Sequence, residues 1–249
     1  MREDIDPWLI SIQDEVRSDF GWDIKNDKKS LKLLLEKIES IDIDKWKNQN
    51  RDKAFIDLSE LAKSSSFRGI TVVGAATKSA DLVESISEGR MLVIADGSIG
   101  ILSELSDTNR KLALKSILFI SSDCDGIPGI FLPELNGTTF LLHAHGDNVD
   151  SWTKFLRNWS KSNNDNPNLV ITHQLPDIVP YTINPGGFTD GDRAICTLIY
   201  MGIDKSKIEL VGFSTDFVGK WSGFTNGSKK IRKLKWMNKI LKHLGFMEV

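Results

Sequence analysis

Cysteine is scarce in this chain: Cys124 and Cys196 are the only two in 249 residues, and they are not in CxxC spacing. That argues against a disulfide scaffold and against a thiolate zinc site. Charge of one sign is also lacking. The formal net charge is −2, so no global basic field marks a nucleic-acid binder. No run approaches the ~18 consecutive apolar residues of a spanning helix. The opening stretch, MREDIDPWLISIQDE, is acidic and polar, without an apolar signal region. The expectation is a soluble protein of a reducing cytoplasm, acting on small molecules. Neither nucleic acid nor membrane is expected as a partner, and a homo-oligomer stays open.

What is present reads as an ordinary globular composition, with 40% apolar and 27% charged residues. The length suits one large domain, or one domain with a smaller appendage. Residues 1–67 carry only helical signals. In KKSLKLLLEKIESI, the residues Leu31, Leu34, Leu35 and Ile38 share a face at helical spacing. A second candidate helix, DKWKNQNRDKAFIDLSELAKS, groups Trp46, Phe55, Leu58 and Leu61. A helical N-terminal unit over 1–67 is therefore expected, followed by a different domain over 68–249.

From residue 68 onward, short apolar runs recur: GITVVGA, MLVIADG, SILFISSDCDG, TTFLLHAHGD, NLVITHQ and IELVGFS. Continuous rather than alternating apolar character predicts strands buried on both faces of a parallel sheet. Helical patterns such as SADLVESISEG, DSWTKFLRNWSK and DRAICTLIYMG lie between them. The predicted fold class is α/β, Rossmann-like, a mostly parallel sheet with helices on both faces. The closing segment SKKIRKLKWMNKILKHL has Ile231, Leu234, Ile240, Leu241 and Leu244 at helical spacing, and reads as an amphipathic helix with a solvated basic face.

Ligands of open α/β sheets bind beyond the carboxyl ends of the strands, and here those ends are acidic. Asp96 closes ADG, Asp123 and Asp125 stand in SSDCDG, Asp147 in HGDN, and Asp190 and Asp192 in GFTDGDR. A single strand-end aspartate is commonly a helix cap, and Asp192 in a first helical turn suits that role. Several acidic clusters on one sheet edge repel one another and call for a cation. Oxygen-only donors suit magnesium, which usually takes one or two carboxylates and the phosphates of a substrate. The turn VVGAATKSADL offers a further phosphate contact from Gly74 to Ser79, with Lys78 beside it; it is neither GxGxxG nor a P-loop. HAHGDN also admits a zinc-hydrolase reading, but Asn148 stands where that motif's last histidine would be, and the chain has only four histidines. His143 is expected to be structural, and Cys124 to be buried packing.

Taken in order, the strand-glycine turn, ADG, the DxDG aspartate pair, HAHGDN and GFTDGDRA resemble the archaeal 6-hydroxymethyl-7,8-dihydropterin pyrophosphokinase family, which is related in fold to the catalytic domain of thiamine pyrophosphokinase. The resemblance covers roughly residues 68–245. It implies a magnesium-dependent transfer of diphosphate from ATP to the pterin hydroxymethyl group, releasing AMP, in pterin or folate-type cofactor synthesis. By motif, Asp96, Asp123, Asp125 and Asp147 would hold magnesium, and Asp123, Asp125 and Asp147 would be catalytic. On the nucleotide side it adds Gly97, Arg193 and His145 to Gly74, Lys78 and Ser79. On the acceptor side it suggests Asn148, Phe188, Thr189, Asp190 and Asp192, with Phe213 as a possible stacking ring. Two departures stand out: GAATKS replaces a first turn like GxGPSL, and SSDCDG replaces TDLDG with both carboxylates kept. Thiamine or another alcohol as acceptor, a zinc hydrolase and a catalytically idle nucleotide-binding protein remain the alternatives.

Overall fold

The computed structural model describes residues 5–126, 132–161, 165–223 and 226–246. Three helices come first: α1 (Pro7–Phe20), α2 (Ile24–Ser40) and α3 (Asn48–Ser65). Aspartates open the first two, Asp6 accepting from Trp8 N and Asp23 from Lys25 N, each satisfying an otherwise unpaired first-turn amide. The rest alternates: β1 (Ile70–Val73), α4 (Ser79–Ser87), β2 (Met91–Ala95), α5 (Asp107–Ser116), β3 (Ile117–Ser122), β4 (Thr139–Ala144), α6 (Val149–Ser160), β5 (Asn168–His173), α7 (Asp190–Tyr200), β6 (Ile208–Val211) and α8 (Gly227–His243). A 3-10 segment, Asp96–Glu104, follows β2. No helix among the described residues is long and apolar enough to cross a membrane.

All six strands pair in parallel, in the order β5-β4-β3-β2-β1-β6. The chain steps outward from β1 to β5 and then returns to lay β6 against the other side of β1. Right-handed crossovers put the helices of the outward steps on one face and the returning helix on the other, and the core divides that way. Val73, Ile94, Ile120 and Leu142 pack against α4, α5 and α6. Their strand neighbours Val72, Val93, Phe119 and Leu141 pack against α7 and α8. The α/β reading of the sequence is borne out, and all six strands lie within the apolar runs that suggested them.

The N-terminal helices spread over both faces, with α1 and α3 joining the α7–α8 core and α2 the opposite one. One local expectation changes. Trp46 is not on the helix of Phe55 and Leu58 but in a preceding 3-10 turn, Asp44–Trp46, buried in the other core with its indole N–H donated to Pro167 O at 2.9 Å. Leu61, grouped with them by spacing, is 49% exposed. The basic C-terminal segment is a helix, with Leu234, Met237, Ile240 and Leu241 inward.

Candidate active site

Strand order reverses between β1 and β6, and a cleft of about 620 Å³ opens there at the carboxyl ends of the strands. Its walls include Gly74, Asp96, Asp190, Phe213, Trp221 and Lys230. Three acidic side chains from separate elements converge beside it, two of them, Asp96 and Asp190, in its wall. Asp96 follows β2, Asp123 follows β3, and Asp190 begins α7; one carboxylate oxygen from each lies within 4.8 Å of the others.

Close backbone approach makes this convergence possible. Asp96 takes a positive φ of 36°, sparsely populated for a non-glycine residue, and its carboxylate accepts a hydrogen bond from Ser122 Oγ. A Cβ on Gly126 would stand 2.0 Å from Asp96 Oδ2, so the glycine closing SSDCDG is what lets the two motifs meet. Asp125 N donates to Asp123 Oδ1 at 3.3 Å, folding that aspartate pair on itself. Cys124 between them is buried, as expected for packing.

Burial raises the pKa of Asp190 to about 7, reinforced by Asp123 and Asp125. Burial and the charge of Asp123 likewise bring Asp125 to about 6, and Asp96 is also raised, by burial and then by its three acidic neighbours. Burial pushes Asp123 upward too, but the hydrogen bond and charge of His145, with Lys233 and Arg193, outweigh it and hold this carboxyl below the usual range. Hence the cluster as it stands retains protons that a divalent cation would displace. The donor set, all carboxylate oxygen, fits a hard cation such as magnesium.

His145 bridges two carboxylates, its Nε2 3.4 Å from Asp123 Oδ2 and its Nδ1 2.6 Å from Asp147 Oδ1. Burial opposes its charge, yet these two partners raise its pKa to about 9. Asp147 itself is 60% exposed, also faces Lys229 Nζ at 4.0 Å, and lies outside the group of three. His143 is fully buried in β4, with Nδ1 3.0 Å from Thr172 Oγ1. The two histidines of HAHGDN therefore face different surroundings, and neither belongs to the metal-capable group found among the described residues.

Other candidate residues fall into three sets. Gly97, Thr189 and Asp190 line the cleft. Asp192 and Asn148 turn inward as struts: Asp192 accepts from Phe188 N at 2.8 Å and Thr189 N at 2.7 Å, capping α7. Asn148 Nδ2 donates to Asp123 O at 3.0 Å and His143 O at 2.6 Å, tying the ends of β3 and β4. Arg193 is buried too, its guanidinium donating to Asp190 Oδ1 at 2.9 Å and Phe188 O at 2.7 Å. Phe188 packs against Phe20 and Trp22, away from the open cleft. Finally, Lys78 is exposed and Ser79 half-buried, and much of their turn is already bonded: Gly74 N to Val211 O, Ala76 N to Gly212 O and Lys78 N to Asp81 Oδ2.

Spacing did not reveal the basic face of α8 as part of the site. Lys230 lines the cleft and its charge reaches Asp125 and Asp190; that of Lys233 reaches Asp123, Asp125 and Asp147. The signal available in sequence was their three-residue spacing, which places both on one side of a helix. Phe213 packs on Gly191, where a Cβ would meet its ring at 2.8 Å; Trp221 donates its backbone N–H to Ala75 O at 2.9 Å beyond β1, and its ring lies 2.6 Å from where a Cβ on Gly100 would stand.

Two curated relatives cover most of the chain. A 6-hydroxymethyl-7,8-dihydropterin pyrophosphokinase of Methanocaldococcus jannaschii is 28% identical over 213 residues, 79% of this chain and 74% of the relative. An enzyme of the same name from Pyrococcus furiosus is 28% identical over 244 residues, 93% of this chain and 90% of the relative. No protein-family model and no solved structure matches the chain. The resemblance read from the motifs is thus borne out along most of the sequence.

Proposed function

We propose that this chain, similar over most of its length to these pyrophosphokinases, is a magnesium-dependent diphosphotransferase that moves diphosphate from ATP to 6-hydroxymethyl-7,8-dihydropterin. The observation that carries this reading is the meeting of Asp96, Asp123 and Asp190 at the carboxyl edge of the sheet, beside the switch-point cleft, with Lys230 and Lys233 of α8 facing the same carboxylates. Anionic donors suited to a cation, set beside ammonium groups, form a site for a polyphosphate.

Asp96, Asp123 and Asp190 would hold magnesium, which when bound neutralises charge on the polyphosphate oxygens. In the transfer, the hydroxymethyl oxygen bonds to the β-phosphorus, the bond from that phosphorus to the oxygen bridging to the α-phosphorus breaks, and AMP leaves with that oxygen. Asp125 accepts the hydroxyl proton; its pKa of about 6 is close to neutral pH, as a general base requires. Lys230 and Lys233 stabilise the charge carried by the phosphates. His145, cationic between Asp123 and Asp147, keeps Asp123 ionised. Phe213 and Trp221 offer ring faces on which a flat heterocycle stacks.

The test is to incubate the protein with ATP, magnesium and hydroxymethyldihydropterin and to follow the nucleotide products. AMP formed only when both magnesium and the pterin are present is the expected result. Release of ADP, or AMP formation indifferent to the pterin, would overturn the reading.

A further inference from the structure

We propose that Asp27, on the second N-terminal helix, is a positioning residue: its carboxylate holds the Gly146 amide, and through it the turn that carries His145 against Asp123. The choice of reaction to measure rests on the diphosphotransferase reading; the contact itself does not.

Asp27 is buried although it belongs to the N-terminal helices and its side chain does not line the cleft. Its Oδ1 accepts from Gly146 N at 2.8 Å and its Oδ2 from Gln174 Nε2 at 2.8 Å. Arg17 Nη1 stands 3.5 Å from the same carboxylate and donates to Gln174 O at 2.8 Å. The helix sits directly on the turn, because a Cβ on Gly146 would lie 2.8 Å from Asn26 Cβ. Three residues further along α2, Ser30 Oγ lies 3.4 Å from Asn148 Oδ1 and accepts Trp152 Nε1 at 3.2 Å. Asn148 in turn holds His145 N at 3.0 Å and Asp123 O at 3.0 Å. Two struts from one helix face thus end on the turn between β4 and α6. Anchoring the helix does not need them, since Leu31, Leu34 and Ile38 already bury its apolar face. A buried carboxylate is costly unless hydrogen-bonded; here Gln174 and Arg17 hold Oδ2, which leaves Oδ1 to the turn.

The experiment compares Asp27→Ala and Asp27→Asn with the wild-type enzyme. Alanine is expected to lower kcat at least tenfold while KM for ATP stays within about twofold. Asparagine, whose Oδ1 still accepts from Gly146, should recover kcat to within about threefold of wild type. Asparagine no better than alanine would overturn the proposal, as would alanine with near-normal turnover. If Asp27→Ala proves too unstable to assay, Ser30→Ala decides: it cuts the neighbouring strut from the same helix face and should lower kcat about threefold, and unchanged turnover would overturn the proposal. Hydrogen exchange at the Gly146 amide supplies a readout without substrate. It should be at least tenfold faster in Asp27→Ala, with the Leu34 and Ile38 amides unchanged, and an unchanged Gly146 rate would overturn the proposal. Were the wild-type protein to release no AMP, the diphosphotransfer reading would fall and this exchange would still judge Asp27.

Discussion

At the scale of residues, Asp123 and Asp147 flank one imidazole but have different surroundings. Asp123 is largely shielded, stands with Asp96 and Asp190 in one carboxylate cluster, and is held ionised there. Asp147 is 60% exposed, with His145 and Lys229 beside it and the charge of Lys233 reaching it from further off. Asp123→Asn is therefore expected to reduce pterin-dependent AMP release by about 10³-fold without unfolding the protein. Asp147→Asn should lose about tenfold, with the difference measured in kcat and not in yield of folded protein. Equal losses would show that Asp147 reaches the reacting atoms. Asp190 and Asp192 make a second contrast. They stand two positions apart at a helix start, where side chains diverge: one reaches the cleft, and the other closes the capping box on Thr189.

At the scale of elements, α8 shows what periodicity can and cannot reveal. Its apolar stripe was legible, because burial of Leu234, Met237, Ile240 and Leu241 follows the helical repeat. Its basic face read as solvated, because spacing says nothing about what stands opposite. Helix α1 fixes that orientation: Asp19 receives both Arg232 and the Trp236 indole, and Glu15 pairs with Lys239. Lys230 and Lys233 are thereby turned toward the carboxylates, while Lys235 stays exposed. Steady-state kinetics should show KM for ATP rising roughly tenfold in Lys230→Met and in Lys233→Met, the loss of one charge-assisted contact each. Lys235→Met should leave KM unchanged, and a similar rise there would mean that general positive charge, not the facing pair, sets affinity.

At the scale of the whole molecule, buried histidines tie stability to pH. Burial lowers the pKa of His173 to about 4, with Asp177 only partly opposing it, whereas the unfolded chain titrates near 6.5. The folded state thus resists protonation, so this stabilisation is complete above about pH 6.5 and is lost as pH falls toward 4, by about 3 kcal/mol at most. His143 is lowered by the same cause and acts in the same direction. His173→Asn, whose Oδ1 can replace Nδ1 as acceptor for Leu175 N, should flatten the dependence of urea-unfolding midpoints on pH between 6.5 and 4. An unaltered slope would place the acid sensitivity elsewhere.

By itself the sequence determined the six strands, most of the helices between them and the acidic residues at the strand ends, because apolar runs and helical repeats are local and belong to the chain. Only the tertiary structure decided which of those aspartates meet. The return of β6 to the side of β1 creates the cleft, and the packing of α7 brings Asp190 to Asp96 and Asp123 while Asp192 is consumed as a cap. The facing lysines of α8 and the struts from α2 were equally hidden, since they join segments far apart in the chain. Such distances follow from strand pairing and from which helix faces a core accepts, and no local spacing encodes them.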